Sequence, residues 1–384
     1  MISNFRRVAG CLAVLVGLLA ADQAISLVPQ GRVRSVLRQL NPRFQAGIDG
    51  ANYYEGLINE GSRSVRGGLL TNHWLFAGRN FLAAEVRLME GTGHPFTETC
   101  CPAAPEYAPN RRVNSPTGPI STNAFGMVDR EYSAEKPPGT RRILMFGDSL
   151  GRALGVPQGK GLEPRLEEWL NDAAVNTTGR RVEILNLSTS GHRVIRSLDY
   201  AIRKAPKFSA DVFMLELSNR DLPPGWASDI ASLAQGDIDP PYQFIRDLIQ
   251  LAGVNRTDNR EAAVLKFDSA FVEGMRRVLN EFREISAAQK AEPVILLLPT
   301  TDQVRIQSQK FDPLRAILKD LNYPVVDLID AFRDVPDPAR LGISGGDDHP
   351  NEEGQAILLA RLKEQLAARP EIMKSLLGTI GRMP

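Results

Sequence analysis

Beyond residue 140 the chain alternates short apolar runs with longer stretches of helical period. An unbroken apolar run of about five residues marks a strand buried on both faces, and apolar positions three or four apart mark a helix laid on a core. Arg142–Phe146, apolar from Ile143 onward, has this buried-strand pattern and is stopped by Gly147, and Gly161–Val175 follows with Leu162, Leu166, Trp169 and Leu170 on one helical face. The same alternation continues through Val182–Leu187, a helical Val194–Ala205, Asp211–Leu217 and a helix around Ala270–Ala287. Pro293–Leu298, a helix near Pro313–Leu321, Pro324–Ile329 and a final helix from Glu352 to Leu366 complete it. The order is β-α-β-α-β-α-β-α-β-α. Strands alternating with helices predict a parallel sheet covered on both faces, because parallel strands need crossovers and the crossovers supply the covering helices.

Upstream the pattern changes. Arg6 and Arg7 precede Val8–Ala21, an uncharged run of 14 residues closed by Asp22. A positive flank and an apolar stretch of this length form an export signal, shorter than the roughly 18 residues of a full membrane span. Residues 1–24 are therefore expected to be a signal peptide or an uncleaved anchor, which makes the location extracytoplasmic, with possible membrane association through this segment. The alternative is a buried N-terminal helix of a cytosolic protein. Residues 25–139 form an extension to which no fold is assigned. Its Arg32, Arg34, Arg38 and Arg43 read as a solvated charged face or as contacts to anionic headgroups, and Trp74, Leu75, Phe76, Phe81 and Leu82 suggest a short helix. Six prolines between Pro95 and Pro119 mark a loop or linker. Residues 371–384 are read as a tail. The segment Leu222–Thr257, with Pro223, Pro224, Trp226, Pro240, Pro241 and Tyr242, is longer than a crossover needs and is expected to be a lid or pocket wall.

Composition narrows the functional classes. Of 384 residues, 43% are hydrophobic and 24% charged, which excludes wholesale disorder and a multi-span membrane protein. A net charge of +1 gives no global attraction to nucleic acid, so none is expected as a partner. Cys11, Cys100 and Cys101 can build neither a disulfide framework nor a four-ligand zinc site. A neutral-pH base has four candidates, His73, His94, His192 and His349.

In a parallel sheet, ligands bind beyond the carboxyl ends of the strands. The first strand ends in Gly147-Asp148-Ser149-Leu150-Gly151, where a turn flanked by glycines can lift a hydroxyl off the sheet. The second ends in Asn186–Gly191, where a glycine lets a backbone N–H approach a ligand. The third ends in Ser218-Asn219-Arg220-Asp221, with an amide to donate, and the last leads to Asp347-Asp348-His349-Pro350-Asn351. Each signal taken singly is a turn or a cap. Their combination and order resemble the SGNH (GDSL-type) hydrolase superfamily, whose four named residues correspond to Ser149, Gly191, Asn219 and His349. The likeness spans about residues 140–370, with a lead-in at Asn123-Ala124-Phe125-Gly126. The family often has Gly two residues before the Asn, where Leu217 stands, and Asp three before the His, where Gly346 stands. Asp347 is the nearest substitute for that acid, with Asp348 as the alternative.

The resemblance implies a three-layer α/β sandwich, flavodoxin-like, with a central mostly parallel sheet of about five strands. It also implies a serine esterase without metal or organic cofactor. Its substrate would be a small-molecule, lipid or carbohydrate ester. Ser149 would be the nucleophile, His349 the base and Asp347 its partner, with an oxyanion hole of Ser149, Gly191 and Asn219. Two alternatives accompany this reading: an O-acyltransferase or deacetylase acting on envelope carbohydrate, and a non-enzymatic envelope binding protein on the same fold. His192 is expected to be structural or to contact substrate, and Arg220 and Asp221 to line the cleft or to be loop charges.

Overall fold

The computed structural model describes residues 106–378, apart from 173–174, 232, 234–239, 303–307 and 344–346, together with residues 81, 84, 85 and 87–89. The export run, the basic stretch, the three cysteines, His73 and His94 lie outside the described residues. Among the described residues, no helix is long and apolar enough to cross a membrane.

A short antiparallel hairpin, β1 (Arg112–Ser115) and β2 (Gly118–Ser121), precedes the main sheet. The sheet is built from β3 (Thr140–Phe146), β4 (Arg181–Asn186), β5 (Val212–Leu217), β6 (Glu292–Leu297) and β7 (Val325–Asp327). Every neighbouring pair is parallel, in the order β4-β3-β5-β6-β7. Between and after the strands run α1 (Leu162–Leu170), α2 (Val194–Arg203), α3 (Gln243–Ala252), α4 (Arg260–Ser269), α5 (Phe271–Ala288), α6 (Asp312–Asp320), α7 (Glu352–Ala367) and α8 (Pro370–Leu377).

Side chains alternate across the sheet, so each strand feeds two cores. Leu144, Phe146, Phe213, Leu215, Ile295 and Leu297 face one layer with residues of α2, α3, α5 and α6. Ile143, Met145, Val212, Met214, Val294 and Leu296 face the other, against α1, α7 and α8. This is the predicted three-layer sandwich. Burying each such side chain contributes about 1.5–3 kcal/mol, which is why every residue of β3 and β5 is buried. The chain moves from β3 outward to β4 and then back to β5, so the sheet reverses direction beside β3. Crevices at such reversals are where open α/β sheets hold ligands.

Two segments differ from expectation, Leu222–Thr257 and the C-terminal residues from Pro370. Leu222–Thr257, expected as a lid or wall, is packed into the first core where it is described: Trp226 is fully buried, donates from Nε1 to Phe267 O at 2.9 Å and meets Phe271 edge-on. Residues 106–139 are joined to the sheet domain, since the Tyr132 hydroxyl donates to Ile184 O at 2.6 Å. Nor do residues 370–377 behave as a tail. They form α8, which buries Ile372, Leu376 and Leu377, and Arg141 Nε donates to Ser375 O at 3.0 Å.

Candidate active site

The turn after β3 is shaped by a buried carboxylate beneath it. Glu216 of β5 accepts from the Asp148 N–H at 2.7 Å, and a Cβ built on Gly147 would fall 2.1 Å from Glu216 Oε2. Only glycine lets the two strands close up there. Asp148 then accepts from Leu150 N–H at 2.6 Å and from the Ser218 hydroxyl at 2.8 Å, which ties the ends of β3 and β5 together. Its side chain is spent on the turn and is no partner for the base. Ser149 caps this turn with its Oγ 2.7 Å from His349 Nε2 across 200 residues of sequence.

His349 is held in the loop before α7. Its N–H donates to Asp347 Oδ1 at 2.9 Å, and its Nδ1 lies 2.6 Å from the same oxygen. Ile343 N–H donates to His349 O at 3.0 Å, Thr301 N–H donates to Asp348 O at 2.8 Å, and Asn351 caps α7 by accepting from Gly354 N–H at 3.0 Å. Asp348 Oδ1 is 3.7 Å from Nδ1 but 3.3 Å from Arg220 Nη2, so Asp347 is the imidazole's partner and Asp348 holds Arg220. Burial works against ionisation of Asp347, but His349, through its charge and two hydrogen bonds, and Arg220 hold its carboxyl below the usual range. Among the described residues Asp347, Asp348 and His349 also lie close enough to share a cation, a cluster that is the same His–Asp pair and carries no separate site.

In the turn after β4, Gly191 has φ +83° with nothing within 4 Å of where a Cβ would lie. That left-handed backbone is why glycine stands there. Asn219 opens a short 3-10 helix, Asn219–Asp221, capped reciprocally by Ser218 and Asp221. Asp221 accepts from Ser218 N–H at 2.8 Å and from Val194 N–H at 2.7 Å, which joins the ends of β4 and β5 through the start of α2. Burial, and then the Asp148 carboxylate, push the Asp221 carboxyl up to about 7. It is a strut inside the site, whereas loop charge had been one expectation. His192 is 1% exposed, sits edge-on to Tyr200 at 4.6 Å, and is pushed down to about 3 by burial and then Arg196. Its ring packs inside the protein against Tyr200.

Sequence reasoning missed the groups behind these turns: Glu216, and a buried cluster of Glu85, Tyr107, Arg152 and Ser190. The one signal available was Tyr107 in the proline-rich stretch, an aromatic residue without periodic context. Among the described residues, a cavity of about 470 Å³ is lined by Glu292, Pro293 and Pro324 at the opposite ends of the strands from Ser149. Another, of about 270 Å³, touches Gly151 and Arg152 just past the nucleophile turn.

The five-stranded parallel sheet carries Ser149, Gly191 and Asn219 just beyond the ends of β3, β4 and β5 and His349 ahead of α7, the order on which the sequence resembles the SGNH (GDSL-type) hydrolases. No family model and no curated protein matches the chain. Solved structures similar to it include the psychrotrophic esterase EstA from Pseudoalteromonas sp., at 15% identity, covering 60% of this chain and 99% of that one, with a TM-score of 0.39. The acetylxylan esterase Axe2 from Geobacillus stearothermophilus is 14% identical over 59% of this chain and 94% of its own, with a TM-score of 0.38. A lipase/acylhydrolase from Enterococcus faecalis is 15% identical over 60% and 96%, with a TM-score of 0.35.

Proposed function

We propose that the protein is a serine esterase that hydrolyses a carboxylic ester. The observation that carries this is the unbroken line Ser149 Oγ to His349 Nε2, 2.7 Å, and His349 Nδ1 to Asp347 Oδ1, 2.6 Å. A serine hydroxyl is a weak nucleophile until a base takes its proton as it attacks. With Nδ1–H donating to Asp347, the lone pair of Nε2 faces the Ser149 hydroxyl. Ser149 Oγ adds to the acyl carbonyl while its proton moves to Nε2, and Asp347 stabilises the imidazolium formed. The backbone N–H groups of Ser149 and Gly191 and the Asn219 amide receive the negative charge on the former carbonyl oxygen. Collapse expels the alcohol, which takes the proton from Nε2. Water, deprotonated by the same nitrogen, then attacks the acyl-serine and releases the acid and free Ser149.

The export reading of Val8–Ala21 would place this activity outside the cytoplasm. The test is covalent labelling with a fluorophosphonate, read by mass spectrometry alongside hydrolysis of a short-chain activated ester. Modification at Ser149 with turnover, both lost in Ser149→Ala and turnover lost in His349→Ala, is the expected result. Wild-type protein that neither labels nor exceeds the Ser149→Ala background would leave a non-enzymatic binding protein as the better reading.

A further inference from the structure

Behind the two backbone oxyanion donors lies a cluster that the steps above do not use. Glu85 Oε1 accepts from Arg152 Nη2 at 2.6 Å, and its Oε2 accepts from the Ser190 hydroxyl at 2.7 Å and from the Tyr107 hydroxyl. The Tyr107 oxygen accepts from Ser190 N–H at 3.1 Å and lies 3.0 Å from Ser190 Oγ. All four side chains are buried. Burial, and then Glu85, push the Tyr107 phenol far up, so it remains a hydroxyl donor to the carboxylate.

The placement of these contacts matters more than their number. Arg152 lies in the nucleophile turn, where its N–H donates to Asp148 O at 3.0 Å, and Ser190 immediately precedes Gly191. One carboxylate therefore grips both turns that present oxyanion donors. Gly191 has no side chain to pack, and its N–H belongs to the peptide plane shared with Ser190, so whatever fixes Ser190 aims that donor. A donor stabilises the tetrahedral oxyanion only if it is already aimed when charge develops.

We propose that Glu85 and Tyr107, from the extension ahead of the sheet domain, are positioning residues that set the aim and spacing of the Ser149 and Gly191 N–H donors. This rests on the esterase reading. The competing account is a buried ion pair that only holds the extension in place.

The test uses full-length protein, with active sites counted by fluorophosphonate titration so that only folded molecules enter the rate. Misplacement by about 1 Å costs up to about 10²-fold, and loss of a whole donor about 10²–10³-fold. For Tyr107→Phe, which keeps the ring, we therefore expect kcat per titrated site to fall about tenfold, KM for the activated ester to stay within about twofold, and the rate of phosphonylation to fall with kcat. Glu85→Gln, similar in size, should lose at least as much. If kcat per titrated site is unchanged in Tyr107→Phe, with or without a lower Tm, or if KM alone rises, the positioning role is overturned while the esterase reading stands. Wild-type protein that takes no phosphonate at Ser149 overturns the esterase reading and this role together.

Discussion

His349 and Asp347 sit two residues apart in one loop, fixed by backbone bonds from Ile343 and Thr301 and by the Asn351 cap. The donors proposed for the oxyanion, at Ser149, Gly191 and Asn219, follow the ends of β3, β4 and β5, in turns bonded to groups far away in the chain: Glu216 under Gly147, Asp221 between β4 and β5, and Glu85 with Tyr107 at Ser190. The base side is a local structure that needs only to be brought to Ser149. The oxyanion side is a tertiary structure, with geometry shared among buried charges. Proton transfer tolerates this division because a hydrogen bond between two side chains can adjust by rotation, whereas backbone donors move only if their strands move.

The sharpest way to divide the two sides is to damage the base while leaving its shape. Asp347→Asn keeps the size of the group but offers the imidazole either a donor or an acceptor, so the wrong tautomer becomes available. We expect kcat to fall roughly 10⁴-fold, the loss this change causes in a Ser-His-Asp site, with the pH dependence of kcat altered. Asp348→Asn should change kcat by no more than about fivefold, the factor that an exposed ion pair of about 1 kcal/mol is worth. Kinetics of the two variants over pH 5–9 decide it, and equal losses would mean that both carboxylates serve the histidine.

On the oxyanion side, Asn219→Ala should lower kcat about 10²-fold by removing one donor. That loss should be the same at every pH, because the base and its partner are untouched. A pH-dependent loss would show that the donor and base sides are coupled more tightly than their separate anchoring implies.

The same division explains what was legible in the sequence. All five strands could be read because a parallel strand buried on both faces is a mostly apolar run, as in Val294–Leu297 of β6. The motifs of Ser149, Gly191 and Asn219 were legible because each follows a strand end, and that of His349 because it stands just ahead of the last long helix. The choice between Asp347 and Asp348 was not, since it turns on a difference of 2.6 against 3.7 Å in one loop. Helix α4 escaped because only Ala263 and Phe267 of its residues are buried, too few to mark a face. Helix α8, hidden behind Pro370, passed for a tail because a proline at a helix start resembles one that ends a domain. Glu85 left no signal, and Tyr107 only that of an aromatic residue in a proline-rich stretch. Nothing local distinguishes a carboxylate that will meet a strand end from one that will face water.

The smallest expected effect bears on stability, and the two sides pull it in opposite directions. Asp347 lies below the usual carboxylate range in the folded protein, so its contribution is present above that range and is lost as pH falls. Asp221 is held up to about 7 against an ordinary 3.8, so its folded form retains a proton that the unfolded chain has released. Its contribution is complete below the unfolded value and is lost as pH rises through about 7. Buried between Asp148 and the N–H groups of Ser218 and Val194, the ionised form has donors for both oxygens but a like charge facing it. Asp221→Asn removes the ionisation and one of those acceptors. We therefore expect a variant less stable at pH 5 by about 1–3 kcal/mol, the cost of leaving a buried N–H unpaired, yet with a shallower decline in urea-unfolding free energy from pH 5 to 8 than wild type. Parallel curves would mean that Asp221 shares its proton with Glu216, whose carboxyl is also raised, first by burial and then by the Asp148 carboxylate beside it.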